Sequence, residues 1–291
     1  MINSRRGIIL AGGNGTRLYP ITRSISKQLL PVYDKPMIYY ALTSLMLASI
    51  REIQIITTPE SINLYKNLLG DGDNFGIEIS YAIQDKPRGL ADAFLVAEKF
   101  VKNYHSALIL GDNLFHVENF SGKIKKLKAQ KHGCSILAYQ VSDPNRYGII
   151  ELDNNNKITN IVEKPKNPKN NMAVTGYYFY DDTVIERVKT LKPSFRGELE
   201  ITDLNKSYLK DGQLNFQLLS RGSVWLDTGT IDSLHEASSY IRTIEKRQGL
   251  KIGCPEEIAW RLGWIDDKKL ENLASKITNS GYGNYLINLL K

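Results

Sequence analysis

Gly7-Ile8-Ile9-Leu10-Ala11-Gly12-Gly13-Asn14-Gly15-Thr16-Arg17-Leu18 is the stretch on which the reading of the whole chain turns. Residues 7–11 read as a strand, and the strand feeds directly into a glycine-rich loop. Residues 53–57 read as a second strand after a helical stretch over 37–48. Leu90, Phe94, Ala97 and Val101 share one helical face, and a strand over 107–110 follows, ending at Gly111-Asp112-Asn113. Short apolar strands alternating with helical patterns predict an α/β fold with a mainly parallel sheet. In such open sheets ligands bind beyond the carboxyl ends of the strands, so the glycine loop and Asp112-Asn113 point at one crevice.

Past residue 134 the pattern changes. Residues 134–141, 147–152, 158–163 and 174–180 are strand-like, separated by turn chemistry such as Asp153-Asn154-Asn155-Asn156. These strands are expected to pair locally and to form one wall of a substrate site. After Gly229 the chain reads as helices, and Pro255-Glu256-Glu257 carries the proline and acids favoured in a first helical turn.

The 291 residues suit one large domain, or a catalytic domain with an appended subdomain. With 42% hydrophobic and 24% charged residues the composition is that of a soluble globular protein, with no sign of disorder. No apolar run could span a bilayer. The basic start from Met1 to Arg6 is followed by too short an apolar run for a signal peptide. Cys134 and Cys254 form no CxxC or Cys/His cluster, which points to a reduced cytosolic, that is cytoplasmic, protein.

The formal charge of +7 favours anionic partners: nucleic acid, a membrane surface or phosphorylated metabolites. The densest basic run is Lys123, Lys125, Lys126, Lys128 and Lys131, interrupted by Ile124 and Leu127. That spacing predicts an amphipathic helix with its lysines in water rather than a nucleic-acid patch, since no aromatic or glycine motif accompanies it. No nucleic-acid or membrane partner is expected.

Gly12, Gly13 and Gly15 let main-chain amides approach a phosphate closely, and Arg17 and Lys27 would neutralise a triphosphate. The loop is no Walker A motif, lacking a closing Gly-Lys-Ser/Thr, and it lacks the third glycine of a dinucleotide fingerprint. Asp71-Gly72-Asp73 has a metal-binding spacing but sits in a turn-rich segment, and as an EF-hand it fails at Phe75 and Ala82. The four histidines have no metal-ligand spacing.

At this point the chain resembles the sugar nucleotidyltransferases, and within them the glucose-1-phosphate thymidylyltransferases. The matching stretches run nearly end to end. They include Lys27-Gln28-Leu29-Leu30-Pro31-Val32-Tyr33-Asp34-Lys35-Pro36, Leu110-Gly111-Asp112-Asn113, Arg146-Tyr147-Gly148 and Glu163-Lys164-Pro165. Val174-Thr175-Gly176, Arg196-Gly197-Glu198-Leu199-Glu200, Trp225-Leu226-Asp227-Thr228-Gly229 and Cys254-Pro255-Glu256-Glu257 continue the match.

The resemblance implies a Rossmann-like catalytic domain over 1–229, with its nucleotide part over about 1–133 and a smaller sugar-binding part over about 134–229. A helical region over 230–291 would follow. The implied reaction joins dTTP and glucose 1-phosphate to give dTDP-glucose and pyrophosphate. It implies a Mg2+ cofactor held by Asp112 and Asp227, a homotetramer, and a product that feeds dTDP-rhamnose or a related deoxysugar.

The same resemblance assigns Arg17, Lys27, Asp112, Lys164 and Asp227 to catalysis. Gly12, Gly13, Gly15, Thr16, Arg17, Lys27, Gln28, Gln84 and Gly89 would bind the nucleotide. Gln84, at the end of a strand over 77–84, would read the pyrimidine edge, with Gly89 giving the base close access to the backbone. Asn113, Gly148, Glu163, Lys164, Val174 and Arg196 would bind the sugar phosphate.

Arg221, Glu257 and Arg261 match parts of a second, regulatory nucleotide site. Where the family carries an aromatic residue and then glycine, this chain has His116-Val117. A β-branched side chain there fills space and resists positive φ, so the second site is expected to be weakened. The rival readings are a catalytically silent regulatory subunit, a glycosyltransferase that consumes nucleotide sugars, and the same reaction with UTP or another hexose phosphate.

Overall fold

A computed structural model describes residues 5–13, 15–128, 130 and 132–291. Residues 1–4 of the basic start, Asn14 of the glycine loop and Lys131 of the lysine run lie outside the described residues.

The first half of the chain holds strands β1 (Arg6–Leu10), β2 (Pro31–Val32), β3 (Lys35–Pro36), β4 (Glu52–Thr57), β5 (Glu78–Ile83), β6 (Ser106–Leu110) and β7 (Asn113–His116). The second holds β8 (Cys134–Gln140), β9 (Gly148–Leu152), β10 (Ile158–Glu163), β11 (Met172–Tyr180), β12 (Leu214–Leu218) and β13 (Val224–Asp227). Nine of these strands form one sheet. Along it β10, β9, β11, β6, β1, β4 and β5 are neighbours in that order, and β8 joins β11 to β12.

β1 lies between β4 and β6, parallel to both, with Ile9 opposite Ile55 and Ile109. Its central place explains its unbroken apolar run, because both faces of the strand are covered. Ile9, Ile55 and Ile109 pack with Leu42 and Leu45 of the helix Ile38–Leu47. Ile8, Ile56 and Leu108 pack on the other side with Phe94, Val184 and Leu204 from three further helices. Fully burying each such side chain contributes about 1.5–3 kcal/mol. The helical face predicted over 90–101 is divided at Ala97 into Asp92–Val96 and Glu98–Val101, yet Phe94, Ala97 and Val101 still share one core.

The turn-rich strands do pair with one another, and β11 also splices them onto the parallel half. One edge of β11 runs along β8, with a register shift between Val174 and Tyr178. Its other edge divides. Tyr177–Tyr180 pair with β6, whereas Ala173 pairs with β9. The sheet therefore splits beside the carboxyl end of β6, and a bulge in β11 sits at the split. The separate ribbon of β7 and β13 crosses the same place, with Asp227 opposite Asn113.

The helix Ile231–Gln248 starts on a reciprocal Thr230–Ser233 capping box and stops at Gly249, which is left-handed. Pro255 opens the helix Pro255–Arg261, as the sequence predicts. Lys35 ties the β2–β3 turn to this region through an ion pair with Glu245 at 2.8 Å, both side chains buried. In the lysine-rich helix Phe120–Lys128, Ile124 and Leu127 are buried while Lys125 and Lys126 are exposed. Asp71-Gly72-Asp73 lies in a turn, where the Asp71 carboxylate accepts from the Asp73 amide. Among the described residues no helix is long and apolar enough to cross a membrane, and no His/Cys/Asp/Glu group of three or more could hold a metal.

Candidate active site

The split beside β6 opens a cavity of about 440 Å³ lined by Arg17, Asp112, Asn113, Gly148, Glu163, Lys164, Val174 and Asp227. Residues far apart in sequence meet here: Lys164 follows a strand, Glu163 ends one, Asn113 and Gly148 begin β7 and β9, and Val174 lies within β11. Asp112 directly follows β6. Asp227 ends β13 and is brought beside Asp112 because β13 pairs with β7 and Thr228 donates its amide to the Asp112 carbonyl.

Each aspartate has its own cation. The Lys27 ammonium, almost fully buried, donates to Asp112 Oδ2. Arg146 donates to Asp227 Oδ2 at 2.8 Å, and the Tyr147 hydroxyl donates to Asp227 Oδ1 at 3.0 Å. Burial resists ionisation of Asp112, but Lys27 and the Asn113 amide outweigh it and hold the carboxyl below its ordinary range. At Asp227 burial prevails and pushes the carboxyl up against the pull of Arg146 and Tyr147, with the Asp112 charge adding to the rise.

Asn113 fastens the floor of the cavity. Its Nδ2 donates to Asp112 Oδ1 at 2.8 Å, while its Oδ1 accepts from Trp225 Nε1 at 2.7 Å and the Gly176 amide at 3.1 Å. Gly176 must be glycine, since a Cβ there would stand 2.5 Å from Asn113 Oδ1.

Across the cavity, Glu163 Oε2 accepts from Thr202 at 2.6 Å, and Lys164 lies 3.4 Å from Glu163 Oε1. Lys164 holds a φ of 42°, strained for a residue with a side chain, and its amide is fixed to the Tyr147 carbonyl at 3.0 Å. Arg17 lies over Gly229, where a Cβ would come 3.1 Å from its Nη2, and it forms no ion pair with a described residue. Arg17 is therefore free of a carboxylate among the described residues, whereas Lys164 is paired with Glu163.

The nucleotide candidates line the neighbouring rim. Gly13 and Gly15 both hold positive φ, and Thr16 and Arg17 start a short 3₁₀ turn. Gln28 is tied inward, its Oε1 accepting from Ser26 at 2.9 Å and Tyr65 at 3.3 Å. Gln84 is buried with its Oε1 toward Gly12, where a Cβ would lie 3.5 Å away. Gly89 holds a φ of 102°, and the space a Cβ would need is filled by the Leu199 backbone. The need for glycine at Gly89 thus arises from packing against Leu199.

Arg196 stands outside the cavity lining, bonded to both oxygens of Glu200 at 2.8 Å. Sequence reasoning did not single out Arg146 and Tyr147 as the partners of Asp227, or Thr202 and Trp225 as supports. The need to balance a second carboxylate was the available signal for Arg146.

A second cavity of about 470 Å³ holds His116, Val117, Glu257 and Arg261, with Arg261 donating to Glu257 at 2.7 Å. Arg221 is an exposed turn residue outside its lining.

A sequence profile described as nucleotidyl transferase matches residues 6–244. The chain is 57% identical over 286 residues to the glucose-1-phosphate thymidylyltransferase of Neisseria meningitidis serogroup A, covering 98% of this chain and 99% of that protein. It is 54% identical to the enzyme of that name from Mycobacterium tuberculosis, with 98% and 99% covered. This chain belongs to the nucleotidyl transferase family, among the glucose-1-phosphate thymidylyltransferases.

Solved structures agree with that membership. A Bacillus anthracis protein described as a glucose-1-phosphate thymidylyltransferase, in complex with sucrose, superposes with a TM-score of 0.79 at 43% identity over 87% of this chain and 99% of that one. A UDP-glucose pyrophosphorylase complexed with UDP-glucose gives 0.72 at 26% identity over 84% and 100%. The two differ in the nucleotide their descriptions name, so the shared fold does not choose the base.

Asn113 joins the parts of the cavity floor, and its loss leaves the Trp225 and Gly176 donors without their acceptor. Asn113→Ala is expected to lower stability by roughly 2–4 kcal/mol, read from denaturant unfolding. A loss below about 0.5 kcal/mol would show that these bonds do not hold the cavity floor.

Proposed function

We propose that this protein transfers the thymidylyl group of dTTP to α-D-glucose 1-phosphate, forming dTDP-glucose and releasing pyrophosphate with Mg2+ as cofactor. The observation that carries the reading is the convergence of Asp112 and Asp227 at one rim, with Arg17, which forms no ion pair with a described residue, beside them and Lys164 across the same cavity. The names of the curated relatives support the choice of substrates.

The carboxylate pair suits a hard divalent cation, since Mg2+ takes one or two protein carboxylates and completes its shell with phosphate oxygens and water. Asp112 and Asp227 would hold it, and once bound it would neutralise charge on the reacting phosphates. The remaining work belongs to the chain itself. Lys164 would hold the sugar phosphate, and Glu163, oriented by Thr202, would accept from sugar hydroxyls. Arg17 and the amides of the glycine loop would take the triphosphate, so that the sugar-phosphate oxygen meets the α-phosphorus in line with the leaving pyrophosphate. Positioning and charge stabilisation supply nearly all of the catalysis in such transfers. Arg196 would have to leave Glu200 to reach the phosphates.

In this reading the enzyme acts in the cytoplasm as a homotetramer, and its product supplies a dTDP-rhamnose or related deoxysugar route. A silent regulatory subunit would need no such complete set of charged side chains. A glycosyltransferase would call for a DxD at a strand end, and Asp71-Gly72-Asp73 is a turn. Pyrophosphate release measured over a matrix of nucleoside triphosphates and sugar phosphates tests the reading. The pair dTTP and glucose 1-phosphate is expected to give the highest kcat/KM, and a clearly better pair would replace the assignment.

Lys164→Ala is expected to cost roughly 1.5–3 kcal/mol in the use of glucose 1-phosphate while dTTP binding survives. Collapse of dTTP binding with unchanged sugar-phosphate dependence would remove Lys164 from this role.

The second cavity would be a weakened regulatory nucleotide site. Val117 is not among the residues with positive φ, so resistance to that conformation is not the obstacle. Its buried side chain on the cavity wall is. Inhibition by dTDP-rhamnose should be weak, and Val117→Gly should strengthen it. Tight inhibition of the unaltered protein with no gain in the variant would show that Val117 is neutral.

A further inference from the structure

Gln84 has only one way to face the crevice, and a neighbouring acid imposes it. Its Nε2 donates to Asp92 Oδ2 at 2.7 Å, with both side chains more than nine-tenths buried. A carboxylate has no hydrogen to give, so Gln84 must turn its NH2 group to Asp92 and its carbonyl oxygen away. That oxygen is the atom beside Gly12, and no described residue donates to it. Asp92 is anchored in turn. Arg88 Nε donates to Asp92 Oδ1 at 3.2 Å and Oδ2 at 3.3 Å, and its Nη1 reaches Asp85 at 2.7 Å.

We propose that Asp92, steadied by Arg88, is a positioning residue that sets base specificity by locking Gln84 as a hydrogen-bond acceptor toward the nucleotide. This rests on the reading of the rim around Gly12 and Gln84 as the nucleotide site. An unconstrained glutamine can offer either a donor or an acceptor and so accepts either partner. The locked one demands a donor. The imide N3–H of thymine or uracil provides it, whereas N3 of cytosine is itself an acceptor. Two acceptors would then face each other in a buried site, the arrangement by which built hydrogen-bonding sites reject a near-isostere most strongly. Asp92 thus separates imide bases from cytosine and leaves thymine and uracil undistinguished.

Asp92→Asn tests the idea because the new side chain has one acceptor and one donor end. Arg88 holds the amide oxygen on its own side, so the NH2 group faces Gln84. Gln84 then reverses and presents its own NH2 to the crevice. Steady-state rates of pyrophosphate release with glucose 1-phosphate and dTTP, UTP or dCTP give the readout. The dTTP over dCTP ratio of kcat/KM should fall at least tenfold in Asp92→Asn, mainly through the KM for nucleotide. The dTTP over UTP ratio and the KM for glucose 1-phosphate should stay unchanged. In a Gln84→Ala background the same substitution should leave the dTTP over dCTP ratio where it is.

An active Asp92→Asn enzyme with the unaltered dTTP over dCTP ratio overturns the proposal. So does an equal ratio change with and without Gln84. If the variant does not fold, the unaltered enzyme decides, because use of dCTP as efficient as that of dTTP also overturns it. Failure of the unaltered enzyme with every pyrimidine triphosphate would instead strike the proposed reaction itself.

Discussion

A carboxylate at the end of a strand buried on both faces needs a partner, and the Lys27–Asp112 ion pair supplies it. The pair joins the loop after β1 to the end of β6, two parallel neighbours whose carboxyl ends define the crevice. From Asp112 the bonding spreads outward through Asn113 to Trp225 and Gly176, and through the Asp112 carbonyl to Thr228. Removing one member of a buried charge pair leaves the other uncompensated at a cost of several kcal/mol. The same pair favours the ionised form of Asp112.

Asp227 occupies the contrasting environment. Its cation is half-exposed Arg146 on the opposite wall, and burial leaves its carboxyl more reluctant to ionise. Two acids that differ in this way respond differently to a divalent cation: Asp112 is already charged, and Asp227 gains most from added positive charge. Arg146 and Tyr147 reach Asp227 from the segment leading into β9, while Lys164 follows β10, the partner strand of β9. The wall that carries Lys164 and the rim that carries Asp112 and Asp227 are therefore connected mechanically.

Much of this was legible in the sequence, for a physical reason. Apolar runs of strand length at residues 7–11, 53–57 and 107–110 became β1, β4 and β6, because a central parallel strand tolerates no polar face. The acids and glycines at strand ends were visible because an α/β sheet places its ligands there. The split of β11 between β6 and β9 was not legible, since it arises from a bulge set by long-range pairing. Side chains that act on other side chains were equally hidden. Nothing in the sequence sets Asp92 against Gln84 or Arg146 against Asp227; the fold does.

The central claim is that Asp112 and Asp227 act together on one divalent cation. Turnover of Asp112→Asn and Asp227→Asn at limiting Mg2+ tests it most directly, because each change keeps the side-chain shape and removes one charge. The account predicts that each variant loses on the order of a hundredfold or more in turnover per folded molecule, Asp112→Asn also losing stability because Lys27 is left uncompensated. Normal turnover in both variants at limiting Mg2+ would contradict it.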